Sequence, residues 1–163
     1  MRLLRHLFAP SSRRLFPEDS LQRITEAIAT GERQHRGEVM FAVESNLPPG
    51  AVVAGMEARD RAQDVFVRLR TWDTEANNGV LIYLLLADHR IEIVADRGFA
   101  GRVSDAEWAA VCRLIEQEMR AGHPEQAIID GIRAVSDLLA VHWPQSDGQP
   151  DEDELPNRPH LLD

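Results

Sequence analysis

Three stretches of the sequence predict a small three-layer α/β sandwich on a mixed sheet. Residues Gly79 to Leu86 are apolar with no polar alternation, so both faces of that strand must be covered, as in a central strand between helical layers. The chain between an earlier strand and this one carries a full helical pattern, which makes the two strands parallel, joined by a right-handed crossover. Little more than Asp88 and His89 then separates it from the run Arg90 to Val94, too few residues for a crossover, so that pair is an antiparallel hairpin. The predicted element order is α-β-α-β-β-α-α, Rossmann-like in its layering and without internal repeat.

The chain divides into a short N-terminal amphipathic segment at 1–16, an α/β domain at 17–144 and an acidic tail at 145–163. In the first segment Leu3, Leu4, Leu7 and Phe8 fall on one side of a short helix that Pro10 ends. It either packs on the domain or frays, or it touches a membrane surface peripherally, its arginines meeting anionic lipid. From Pro17 the spacing of Leu21, Ile24 and Ile28 predicts a helix ending near Gly31. Glu38 to Glu44 reads as a strand closed by Asn46-Leu47-Pro48-Pro49-Gly50. A long helix over about 51–70 follows, with Met56, Ala62, Val65, Phe66 and Leu69 inward.

After the hairpin, Ser104 and Glu107 form a capping box that opens a helix with Trp108, Val111, Cys112, Ile115 and Met119 as its buried stripe. Gly122 ends that helix, and Pro124 suits the first turn of the next. Ile128, Ile132, Val135, Leu138 and Leu139 face inward there until Trp143-Pro144 stops it. The polar, proline-containing tail predicts disorder, although Leu155, Leu161 and Leu162 allow a small docking motif.

Composition narrows the function. The 163 residues are 44% hydrophobic and 28% charged, an ordinary soluble composition, and no apolar run approaches a membrane span. The N-terminal leucines are broken by Arg5 and His6, which argues against a signal peptide and for a cytoplasmic protein. The single Cys112 fits a reducing compartment. Net charge is −9, lysine is absent and the arginines are dispersed, which argues against nucleic acid as a partner. The basic charge gathers at Arg2, Arg5, Arg13 and Arg14, and the acidic charge in the tail. No P-loop, dinucleotide glycine fingerprint, nucleophile elbow or HExxH pattern occurs, so no nucleotide or redox cofactor is expected.

The polar pair, glycine and apolar strand from Asn77 to Leu86 precede the strand Arg90 to Val94. The Gly98-to-Asp105 turn into a helix comes next, with Gly131-Ile132 in the following helix. In that order and spacing the chain resembles the TPM domain family, over residues 20–142. The family is named from thylakoid-lumen, photosystem II repair and receptor-modulator proteins. The resemblance implies an αβα sandwich and divalent-metal binding, and for a plant relative acid phosphatase activity. Many bacterial relatives carry a signal peptide, a membrane helix and a Gly/Ser-rich tail that this sequence lacks. It also has Asp96-Arg97-Gly98 where the family often shows a further glycine-rich turn, and Glu44-Ser45-Asn46 departs from the usual exit of the first strand.

Strand directions bring the loop 71–79 and the turn 96–105 to one edge of the sheet. Asp96, Asp105, Asn78 and Asp73 offer oxygen ligands there without His or Cys, which suits a hard cation such as Ca²⁺ or Mg²⁺. Asp96 and Asp105 are the leading ligands, while Arg97 and Trp72 are placed to contact a substrate, Arg97 as a phosphate partner. Each residue also has a local explanation. Asn77-Asn78-Gly79 is turn chemistry, Asp105 complements a helix dipole, and Asp96-Arg97 is a solvated pair. His35, His123 and His142 lack metal-ligand spacing, and Cys112 mid-stripe is a buried inert thiol.

Two functional classes remain. The favoured one is a non-catalytic accessory module with a protein partner, binding a divalent metal and acting beside a membrane-associated protein. The alternative is a metal-dependent phosphatase acting on phosphomonoesters.

Overall fold

A computed structural model describes residues 1–146 and 153–163. The first strand β1 (Glu38–Glu44) lies parallel to β2 (Gly79–Leu85), and β2 pairs antiparallel with β3 (Arg90–Ala95). A two-residue strand β4 (His160–Leu161) adds to the free side of β1, giving the order β3-β2-β1-β4. β1 and β2 are buried along their whole length, as expected of strands covered on both faces.

Alternate residues of these strands feed two cores. Val39, Phe41, Val43, Val80, Ile82 and Leu84 pack beneath α3 (Glu18–Glu32), α6 (Asp105–Arg120) and α7 (Pro124–His142). Met40, Ala42, Leu81, Tyr83 and Leu85 face α4 (Pro49–Val53) and α5 (Ala58–Arg68). The period of two puts successive side chains on opposite faces, so one apolar run serves both layers.

The long helix expected over 51–70 is two helices. Gly55 sits at φ +80°, beyond right-handed helical geometry, and Glu57 with Asp60 forms a capping box that starts α5 afresh. The N-terminal segment is likewise two short helices, α1 (Arg2–Leu7) and α2 (Ser12–Leu15). It does not end as a separate unit at residue 16. Phe16 is fully buried and meets Phe41 edge-to-face at 5.5 Å between ring centroids.

The expected disorder of 145–163 is corrected for residues 153–163; part of that span, 147–152, lies outside the described residues. Leu155 is buried in the α5-side core, Leu161 and Leu162 pack against the two cores, and the Leu162 N–H donates to the Val43 carbonyl. The Asp163 carboxylate accepts the Ser45 N–H at 2.7 Å and the Ser45 hydroxyl at 2.8 Å, and also bonds Ser12. The apolar residues of the tail therefore dock on their own domain.

α1 packs with its polar side inward. Arg2 and His6, one turn apart on one face, both reach Asp88, Arg2 also donating to the Met56 carbonyl at 2.7 Å and His6 accepting the Leu47 N–H at 3.0 Å. Leu4, Leu7 and Phe8 consequently point to solvent, with exposures of 53%, 58% and 81%. No helix among the described residues is long and apolar enough to cross a membrane.

Candidate functional site at the sheet edge

The parallel pair starts and β3 ends at the same edge, with Glu38 opposite Gly79 and Val80 opposite Ala95. The loop before β2 and the turn after β3 are tied by two backbone bonds, Asp96 N–H to the Gly79 carbonyl at 3.0 Å and Gly98 N–H to the Asn77 carbonyl at 2.9 Å. A methyl group on Gly98 would lie 2.3 Å from the Asn77 carbonyl oxygen, so only glycine allows this approach.

Within this edge the six expected residues separate. Asn78 is buried: its Nδ2 donates to the Arg36 carbonyl at 3.1 Å, its N–H donates to Thr74 Oγ1, and its Oδ1 has no partner. Asp96 Oδ1 accepts the Arg97 N–H at 2.7 Å while its Oδ2 is buried without a partner. Asp73 is spent on Arg70 at 2.5 Å. Asp105 and Arg97 are exposed. Trp72 is half-exposed, its Nε1 donating to the Val67 carbonyl and its ring lying beneath Arg70.

The divalent cation that the resemblance implies therefore meets a partial fit. Asn78 Oδ1 and Asp96 Oδ2 are desolvated oxygens of the kind a hard cation takes, and each costs free energy while unpaired. Asp73 is paired with Arg70 on the surface. Asp73, Asp96 and Asp105 do not converge as a three-carboxylate cluster among the described residues, and nothing in the arrangement favours phosphomonoester hydrolysis.

The carboxylates that do converge were not singled out in the sequence. Glu32 at the end of α3, Glu38 at the first position of β1 and Asp153 in the C-terminal segment bring ligand oxygens within 4.8 Å of one another. Burial, then the neighbouring negative charges, pushes the Glu38 and Glu32 carboxyls above the ordinary carboxylate range. One signal was available: Glu38 opens a strand whose interior residues, Val39 to Val43, are all apolar, so it has no solvent face to occupy.

Two further polar groups lie under the same end of α3. His35 is fully buried, its Nδ1 accepting the Gly37 N–H at 3.2 Å, and burial lowers its pKa to about 4, so it is neutral near pH 7. Ser136 Oγ and His35 Nε2 both lack a partner, and a methyl group on Gly31 would stand 2.2 Å from that hydroxyl. Gly31 thus permits close contact of α3 with α7. Cys112 is half-buried, and burial followed by the Glu92 and Glu116 charges raises its thiol to about 11, as an inert thiol requires.

A mixed four-stranded sheet between helical layers, with loops meeting at the β1–β2 starting edge, defines a small αβα sandwich. Its sequence matches the family model of the TPM domain over residues 12–138. Among solved structures it is similar to the NMR structure of the BA42 protein from the psychrophilic bacterium Bizionia argentinensis. Identity is 31% and the TM-score 0.77, covering 88% of this chain and 92% of that one. Comparison with curated proteins gives no match. The chain belongs to the TPM domain family.

Proposed function

We propose that this TPM-domain protein is a non-catalytic interaction module that docks on an anionic membrane surface through α1, beside a membrane-associated partner. The observation that carries this reading is the inverted packing of α1. Its polar side is consumed by Asp88, Met56 and Leu47, so Leu4, Leu7 and Phe8 stand in water. A held-out apolar patch of this kind marks an interaction surface.

Charge favours a bilayer over a neutral groove. Arg5 on α1 and Arg13 and Arg14 on α2 are exposed and form no ion pair among the described residues, although the whole chain carries −9. Each arginine near an anionic leaflet contributes about 1 kcal/mol, and the leucines and phenylalanine add apolar burial in the headgroup boundary. At the sheet edge, Asn78 and Asp96 support a Ca²⁺ or Mg²⁺ ion whose role is to hold loops together rather than to activate a substrate.

Sedimentation of the full chain with phosphatidylcholine vesicles, with and without phosphatidylserine, tests the docking. Binding is expected only with the anionic lipid, to fall with salt, and to be lost in Leu4→Asp/Phe8→Asp with the melting temperature preserved. No sedimentation of the intact protein, or equal sedimentation of the variant, overturns it; capture of a protein by the same patch without lipid would assign the surface to a protein instead.

A further inference from the structure

We infer that Glu32, Glu38 and Asp153 form a hard divalent-cation site that fastens the C-terminal segment to the start of β1. The site uses residues other than Asn78 and Asp96, and goes beyond the membrane reading. Two oxygens that each lie about 2.4 Å from one Ca²⁺ ion are at most about 4.8 Å apart. The ligand oxygens of the three carboxylates already lie within 4.8 Å of one another.

The cluster is not merely an acidic surface. Glu38 is 2% exposed, and its Oε2 has no partner, while its Oε1 accepts the Glu154 N–H at 3.0 Å. Glu32 Oε1 is also buried and unpartnered. Desolvating carboxylate oxygens against one another is costly unless positive charge lies between them. A proton shared by Glu32 and Glu38 can supply that charge, and so can a cation.

The surroundings suit the cation. The carboxylates share a cavity of about 190 Å³ with the side chain of Gln145, and Asp153 is exposed at its mouth, so water can enter and complete the shell. Arg33 lines the same cavity but donates to Thr30 Oγ1 at 3.0 Å. Two ligands come from the body of the domain and one from the C-terminal segment, whose only strand among the described residues, β4, is two residues long. Binding therefore links the segment to the sheet where its own pairing is weakest.

Calorimetric titration of the chelator-stripped full chain with Ca²⁺ and Mg²⁺ tests this, with hydrogen exchange at the Leu162 amide as a second readout. Saturable binding is expected, with proton release on binding because the carboxyls must ionise. Glu32→Gln and Asp153→Asn should each weaken it by about tenfold or more, with Glu26→Gln, an exposed acid elsewhere on α3, leaving it unchanged. Exchange at Leu162 should slow when Ca²⁺ is added. Asp153 is exposed, so Asp153→Asn remains informative if the Glu32→Gln variant fails to fold. Absence of saturable binding at millimolar metal overturns the inference, as does binding lost only in Asp96→Asn. Binding that leaves Leu162 exchange unaltered overturns the fastening role.

Discussion

The carboxylate of Asp88, at the β2–β3 turn, receives the guanidinium of Arg2 from 86 positions away, with Nε 3.1 Å and Nη2 2.7 Å from Oδ2. His6 Nε2 lies 3.2 Å from the other oxygen, Oδ1. One hairpin residue thus decides which side of α1 is buried. The expected amphipathic helix exists, but its leucines point outward because a charged anchor holds the other face.

Asp88→Ala should release α1 and cost about 2 kcal/mol, the loss of hydrogen bonds between charged groups, read from the urea midpoint. Burial opposes ionisation of Asp88, but the bonds and charges of Arg2 and His6 outweigh it and hold the carboxyl below its usual range. Its contribution is therefore complete above an unfolded value of about 3.9 and is lost as pH falls through the lower folded value. Peptic cleavage within α1 should accelerate in that acid window in the native protein, and tryptic cleavage at Arg5 already at neutral pH in the variant.

Arg61 holds Glu44 with two bonds of 2.8 Å, and the Tyr83 hydroxyl donates to the same carboxylate at 2.7 Å. Glu44 is nearly inaccessible, so Arg61→Ala should cost about 3–5 kcal/mol by leaving a buried charge unpaired. Tyr83→Phe should cost about 1–2 kcal/mol. Combining Arg61→Ala with Glu44→Gln should recover part of the loss in a denaturation cycle; strict additivity would show that the pair is not coupled.

Gly98→Ala should destabilise by about 1–3 kcal/mol, because the new methyl meets the carbonyl oxygens of Asn77 and Ala76 at 2.3 and 2.7 Å. Gly50→Ala is the control, with nothing within 4 Å of the added methyl, and in α4 it should stabilise by about 0.5–1 kcal/mol. Thermal melts of the two variants moving in opposite directions would confirm that the contact, not glycine loss itself, matters at the sheet edge.

In metal-free buffer Glu38→Gln should raise stability, on the order of 2 kcal/mol near pH 8. Burial, before neighbouring charge, raises the Glu38 carboxyl, so the folded chain holds a proton that the unfolded chain has released. Stability is unaffected below the unfolded value and falls as pH rises toward the folded one. The variant should flatten that slope, and an unchanged slope in urea melts between pH 5 and 9 would locate the titration elsewhere.

Much of the sheet was legible because its signals are local. The unbroken run of β2 required two cover layers, the Asp88-His89 turn required a hairpin, and the capping box of Ser104 and Glu107 is present, with Glu107 N–H 3.2 Å from Ser104 Oγ. The meeting of the 71–79 and 96–105 segments followed from strand direction alone. What was hidden depended on distance in the chain. Glu38 looked like an ordinary strand end until Asp153, from the far end of the chain, closed around it with Glu32.

By itself the sequence determined the class of fold, the parallel and antiparallel pairings, and the edge where polar groups gather, because periodicity and loop length act within a few residues of one another. Only the tertiary structure decided the orientation of α1, the docking of residues 153–163 and the identity of the converging carboxylates. Each of those depends on partners far apart in the chain, such as Arg2 with Asp88 or Ser45 with Asp163, and on burial that no local pattern reports.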